Sequence, residues 1–177
     1  MVGAGNSRAR IVLSPDEGET VWLGGLGVLF MIDGKQTGET FALVEHPMEP
    51  RVLAAPMHTH RHEDEYTYVL EGEVGVQVGD EVRVARPGDL VLKPRHVPHA
   101  FWNAGDVLAR ALEIISPAGF ERYFAEIATL LPPAQEGPPD EQALGAVMEK
   151  YGLEMDMSSV PLLVERHGLV SDEPPPA

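Results

Sequence analysis

Four residues carry the chemistry open to this chain: His58, His60, Glu65 and His99. Five of the seven histidines fall between positions 58 and 99 of an otherwise ordinary acidic sequence. Imidazole nitrogen and carboxylate oxygen are the donors that borderline divalent metals take. His58 and His60 stand at i and i+2, so an extended backbone turns both rings to one face, about 6.6 Å apart along the strand. The four residues between His60 and Glu65 leave room for a turn or bulge that brings the carboxylate round to the same ion. His99 has to arrive from a distant strand. Three neutral imidazoles and one carboxylate leave a divalent ion with a net charge of about +1 and one or two coordination positions for water, substrate or dioxygen.

The elements that must position these groups read as strands. From about position 21 to 115, short apolar-alternating runs are broken by Gly, Pro and Asp, the pattern of an antiparallel sandwich or barrel. Runs at 20–23, 27–32 and 40–44 come first. Those at 66–71 and 73–78 flank Gly72, and Gly79-Asp80 leads into 81–85, which reads as a meander of hairpins. Val74, Val76 and Val78, with Val82 and Val84, are expected on half-buried faces, and Glu73, Gln77, Glu81 and Arg83 towards water. Runs at 90–92, 99–102 and 107–115 complete the set. At Ser116-Pro117 a hydroxyl N-cap before a first-turn proline predicts a helix, whose stripe Phe120, Tyr123, Phe124, Ile127 and Leu131 carries it to about 131. Pro132-Pro133 stops it, and a Pro/Gly-rich linker runs to 139. Asp140 caps a second helix through Tyr151 with Gly152 after it, and a short third helix spans 161–167. The expected organisation is a β-barrel over 1–115, a helical extension packed on it over 116–170, and disordered ends at 1–9 and 171–177.

The spacing of the chemical groups is similar to that of a known family. His58, His60, Glu65 and Gly72 meet the first motif of the cupin superfamily, His-x-His-x₃₋₄-Glu-x₆-Gly. Gly88, Pro94, His99 and Asn103 meet the second, Gly-x₅-Pro-x-Gly-x₂-His-x₃-Asn, with His96 in place of its central glycine. The chain therefore resembles the small single-domain bacterial cupins. That resemblance implies an all-β jelly-roll barrel with a C-terminal extension of two to three short helices. It also implies one divalent transition metal (Fe, Ni, Mn, Co, Cu or Zn) held by His58, His60, Glu65 and His99. Within the family the chain looks like the quercetinase-like dioxygenases, which implies a small aromatic, flavonol or diketone-like substrate and a proton-accepting role for Glu65. An oxygen-independent isomerase, decarboxylase or cyclase is the alternative, and a binding cupin without catalysis the third.

Residues around the motifs follow from parity. Thr67 and Val69 share the face of Glu65, and Phe101 that of His99, which makes all three candidates for lining the pocket. Tyr66 and Tyr68 fall on the opposite face, suited to outer packing or to the contact of a homodimer. Glu63 and Asp64 read as solvated charges, and His62 as part of the turn before Glu65. His96 is expected on a left-handed backbone that histidine tolerates, at the surface or else turned towards the pocket; Asn103 is expected to fix a turn, and Glu113 to be paired or at a strand edge, with an interior acid or base as the alternative.

Composition narrows the rest. With 177 residues, 44% of them apolar, there is material for one good core but not for two ordinary domains. Thirteen basic against 28 acidic residues give 13 − 28 = −15, which repels nucleic acid and anionic lipid surfaces. The absence of cysteine excludes disulfides, thiolate ligation and a thiol nucleophile. No stretch approaches the ~20 apolar residues of a membrane span, and no apolar leader is visible, so a cytoplasmic protein with a small-molecule substrate is expected.

Overall fold

The computed structural model describes residues 12–14, 17–131 and 140–170. The expectations made for 1–9, 132–139 and 171–177 lie outside these residues. Two antiparallel sheets face each other. The first orders its strands β1 (Thr20–Leu23), β2 (Leu26–Ile32), β3 (Ala42–Met48), β10 (Ala109–Ser116), β5 (Asp64–Glu71) and β8 (Leu90–Lys93). The second orders β11 (Leu153–Met155), β4 (Leu53–His60), β9 (His99–Asn103), β6 (Val74–Val78) and β7 (Glu81–Ala85). Helices α1 (Glu121–Ala128), α2 (Glu141–Tyr151) and α3 (Ser159–His167) follow the barrel strands. This is the jelly-roll architecture with a C-terminal helical extension.

Period-two patterning builds the interior. On β10, Ala109, Ala111, Glu113 and Ile115 are buried, while Arg110, Leu112 and Ile114 face outward. One core fills the barrel with Met48, Val69, Val74, Val76 and Phe101. A second joins barrel strands to the extension through Val28, Val44, Ile115, Phe120, Phe124 and Ile127. A third lies outside the five-stranded sheet, where α3 places Leu163 against Trp102, and His167 stacks on the indole at 4.2 Å between ring centroids. Gly75 is obligatory beneath that indole, because a Cβ there would come within 2.0 Å of Trp102 Nε1. Asn103 ties down the loop after β9: its amide donates to the carbonyls of Met48, Glu49 and Val107, and its Oδ1 accepts from Gly105 N–H.

Several local expectations need correction. The runs either side of Gly72 do not pair as a hairpin, since β5 and β6 belong to different sheets. Gly72 turns the chain from one sheet to the other at φ 75°, and a Cβ would meet Ala109 at 2.8 Å, so backbone freedom and close approach both require glycine. Gly79-Asp80 does form a two-residue hairpin, but it sets Val78 opposite Glu81. Val82 and Val84 therefore lie on the face away from Val74, Val76 and Val78; Val82 packs towards the Trp102 cluster and Val84 is exposed. Ser116 does not cap α1. It ends β10, where its hydroxyl donates to Thr40 O, and the helix starts at Glu121, whose carboxylate accepts Gly119 N–H. Asp140 caps α2 and Gly152 closes it at φ 66°, as the sequence predicts. The extension also contributes a strand, β11, which pairs with β4 so that Leu153 and Met155 lie opposite His60 and His58.

Candidate metal centre and cavity

Sheet geometry brings the four donors together. β4 turns His58 and His60 inward, neighbouring β9 sets His99 opposite His58, and β5 presents Glu65 from the facing sheet. One ligand atom from each of His58, His60, Glu65 and His99 lies within 4.8 Å of all the others, and all four residues are buried.

Each imidazole is held in one tautomer. Nδ1 of His58 donates to Pro56 O at 2.7 Å and Nδ1 of His99 to Val97 O at 2.9 Å, while Nδ1 of His60 bonds the Glu63 carboxylate. A carbonyl only accepts, so the proton of His58 and of His99 sits on Nδ1 and the Nε2 lone pairs converge. Nε2 of His60 and of His99 are buried without a hydrogen-bond partner, each 3.5 Å from a Glu65 oxygen. Buried polar atoms are rarely left so, and lone-pair nitrogens ringed around a carboxylate fit a divalent ion.

The charges follow from this enclosure. Burial, then the neighbouring His99 and His60, lowers the His58 imidazole well below its usual value, and burial also lowers that of His99. Burial acts the same way on His60, but the Glu65 and Glu63 carboxylates outweigh it and raise that ring. Burial alone would raise Glu65; the Lys93 ammonium and the His60 and His99 rings instead hold it well below the carboxylate range.

Lys93 is the residue the sequence reading passed over. It pairs with Glu65 across β8 and β5, and only 1% of it is exposed. Its Nζ lies 2.8 Å from Glu65 Oε2 and 3.0 Å from Glu113 Oε2, and 4.7 Å from the centre of the Phe101 ring. Thr67 Oγ1 donates to the same Glu113 oxygen at 2.7 Å. Burial pushes Glu113 up to about 7 against the pull of Lys93, whose own ammonium is retained by the two carboxylates despite burial. One signal could have found Lys93: on β8 it shares parity with Val91, while Leu90 and Leu92 face out.

A cavity of about 730 Å³ opens beside the metal cluster. Its polar wall includes His46, His58, Glu65 and Lys93. The apolar wall comes from Leu26 and Phe101 of the barrel, Phe120, Phe124 and Ile127 at α1, and Leu144 and Met148 of α2. Phe101 thus lines the cavity. Thr67 lies behind it on Glu113, and Val69 packs in the barrel core. Glu63 is not solvated as expected but buried on His60, because the turn after β4 folds it inward. Asp64 is bound by Arg95, which lowers its carboxyl to about 2. His62 is exposed. His96 is also exposed, at φ 65°, and donates its N–H to His60 O at 2.9 Å.

Comparison with known proteins adds family and fold. Residues 45–115 match the family model described as "Cupin domain". A 60-residue stretch is 37% identical to Protein SchB of Streptomyces halstedii, covering 34% of this chain and 44% of that protein, so the match spans less than half of the curated relative. A predicted oxalate decarboxylase of Thermotoga maritima superposes with TM-score 0.57 at 16% identity, over 60% of this chain and 99% of that one. The nucleoside dehydratase Pac13 of Streptomyces superposes with TM-score 0.51 at 14% identity, over 64% and 87%. At these identities the structural likeness concerns the fold. The cavity wall supplied by α1, α2 and β11 lies outside residues 45–115, which the family model matches.

Proposed function

From a barrel whose family match and fold both support the cupin superfamily, we propose that this chain is a metal-dependent enzyme acting on a largely apolar small molecule. We take its reaction to be dioxygenation of an aromatic, flavonol-like or diketone-like substrate. One observation carries the metal part: four donor atoms converge within 4.8 Å, and two of them are buried nitrogens with no hydrogen bond. His58, His60, Glu65 and His99 are the residues that would hold the ion. When bound, it supplies Lewis acidity towards a substrate oxygen and, if redox-active, electron exchange with dioxygen.

The chain's own groups do the remaining work. Glu63 orients His60 through Nδ1, and Lys93 holds Glu65 through Oε2, the same oxygen that His99 Nε2 faces at 3.5 Å. We assign Glu65, the carboxylate on the cavity wall beside the three histidines, to accept a substrate proton. Phe120, Phe124, Ile127 and Met148 exclude water around an apolar body. The substrate class follows from the wall: most of its lining is apolar, and the buried Lys93 ammonium on it is already shared by two carboxylates. A second reading, oxygen-independent isomerisation, decarboxylation or cyclisation, is favoured by the Lys93–Glu113 pair next to Glu65, which places a proton donor and acceptor beside the site.

Elemental analysis, followed by incubation with quercetin and acetylacetone in air and under argon, tests both readings. Turnover in air alone, with both oxygen atoms entering product, supports dioxygenation; equal turnover in both supports the second. A fully metallated protein inert under either gas overturns both and leaves a binding protein. Full metal content in His99→Ala would sink the four-donor centre. A homodimer is part of the proposal: Leu90 and Leu92, 54% and 57% exposed, sit with Tyr68 on one outer face, and light scattering of the eluting protein tests it.

A further inference from the structure

We propose that His46 is the hydrogen-bond acceptor of the cavity, and that it selects ligands bearing a phenol or enol hydroxyl on an otherwise apolar ring body. The inference rests on the cavity being the binding site, but not on the metal. His46 lies on β3, turned inward between Val44 and Met48 and 2% exposed; it belongs to the cavity wall and not to the four-donor cluster.

Its tautomer is determined by a neighbouring strand. Nδ1 lies 3.0 Å from Gly27 O, and since a carbonyl can only accept, Nδ1 carries the proton and Nε2 the lone pair. No hydrogen-bond partner for Nε2 exists among the described residues, yet it is not among the fully enclosed orphan atoms. The ring is flanked by Phe124, edge-on at 5.4 Å between centroids, and by Phe101 at 6.0 Å, which restrains it from exchanging its two nitrogens. Burial lowers the imidazole to about 4, and Lys93 adds to this, against the Gly27 carbonyl, Glu65 and Glu45, so the ring is neutral at physiological pH.

An acceptor in such a wall discriminates sharply. A ligand hydroxyl satisfies Nε2, whereas an ether or a carboxylate brings a second acceptor against the lone pair and leaves both unpaired. A tenfold preference for the hydroxyl is the expected order of magnitude, about 1.4 kcal/mol.

The test uses 2-naphthol and its methyl ether, 2-methoxynaphthalene, titrated calorimetrically into the full chain, both metal-free and zinc-loaded. Wild type is expected to bind the naphthol about tenfold more tightly than the ether in both forms. His46→Phe, which keeps a ring in the same packing, is expected to bind the two alike. Nitrogen-15 NMR of wild type needs no variant: the His46 Nε2 resonance should move with naphthol and not with ether. No preference in wild type, a preference kept by His46→Phe, an unmoved Nε2 resonance, or binding of neither probe each overturns the assignment. A preference seen only with zinc would place selection at the metal and also overturn it. A protein that binds no metal but keeps the preference would sink the metal-enzyme reading and leave this one standing.

Discussion

Lys93→Met takes the only ammonium from between two buried carboxylates while keeping the apolar stem. Nζ stands 2.8 Å from Glu65 and 3.0 Å from Glu113, so each pair has a gross Coulomb attraction of about 6 kcal/mol at an effective dielectric of ~20. Desolvation of the ammonium offsets much of this, and losing one partner of a buried ion pair costs roughly 3–5 kcal/mol. We expect a loss of that size for the metal-free protein at pH 8, by urea unfolding followed through tryptophan fluorescence. The pH dependence has a definite sign. With Lys93 present, Glu65 is held well below its usual value and is charged at pH 8 and at pH 5. Without it, burial raises Glu65, the folded state takes up a proton that the unfolded chain lacks, and the variant gains stability as pH falls, by up to ~1.4 kcal/mol per unit. The gap to wild type should therefore narrow from pH 8 to pH 5, and zinc should narrow it at pH 8 by supplying positive charge beside Glu65. A loss under about 1 kcal/mol at pH 8, or an equal loss at both pH values, would refute the view that one ammonium holds both carboxylates in place.

Three further expectations follow from the same geometry. Glu63→Gln weakens the hold on His60 Nδ1 and should lower zinc affinity roughly 10–100-fold in chelator competition, with the fold intact by circular dichroism; unchanged affinity would deny Glu63 an orienting role. Gly75→Ala drives a methyl into the Trp102 indole at 2.0 Å and should cost about 3 kcal/mol or more in urea, with altered Trp102 emission, and a neutral substitution would contradict the packing of β6 under β9. His46 is depressed from 6.5 to about 4, so below pH 6.5 the unfolded chain takes a proton that the fold refuses; its stabilisation is present above 6.5 and is lost as pH falls to 4, about 3 kcal/mol in all. His46→Phe should flatten this acid limb in metal-free unfolding curves, and an unchanged slope would show that the ring is not buried neutral.

Much of this was legible along the chain because it rests on local period. Strands at 20–23, 81–85 and 99–102 show in alternation, and the caps of α2 in Asp140 and Gly152. His58 and His60 were visible in spacing, since i, i+2 on a strand is a local fact, while Glu65 and His99 joined them through the resemblance of the two motifs. What crosses between strands was not. Gly72 looked like a hairpin turn because pairing partners are not encoded in one run, and Val84, expected half-buried with Val82, is exposed because hairpin register turns both away from the barrel core. Glu63 read as a solvated charge because strand period does not encode the turn after β4, which folds it back onto His60 three residues earlier.

Taken alone, the sequence determined an all-β barrel with a helical extension and the identity of four groups able to hold a metal, since side-chain type and two-residue period are properties of the chain itself. Tertiary structure decided what surrounds them. Register across β3, β10, β5 and β8 lines His46, Glu113, Thr67, Glu65 and Lys93 along one inner wall, although 46 residues of chain lie between His46 and Lys93. Charge and tautomer at that wall come from neighbours in space: two carboxylates retain one ammonium, and one carbonyl leaves one imidazole lone pair facing an apolar cavity. Burial raises the energy of any polar group left without a partner, so the contacts between strands, not the residues singly, set what this cavity accepts.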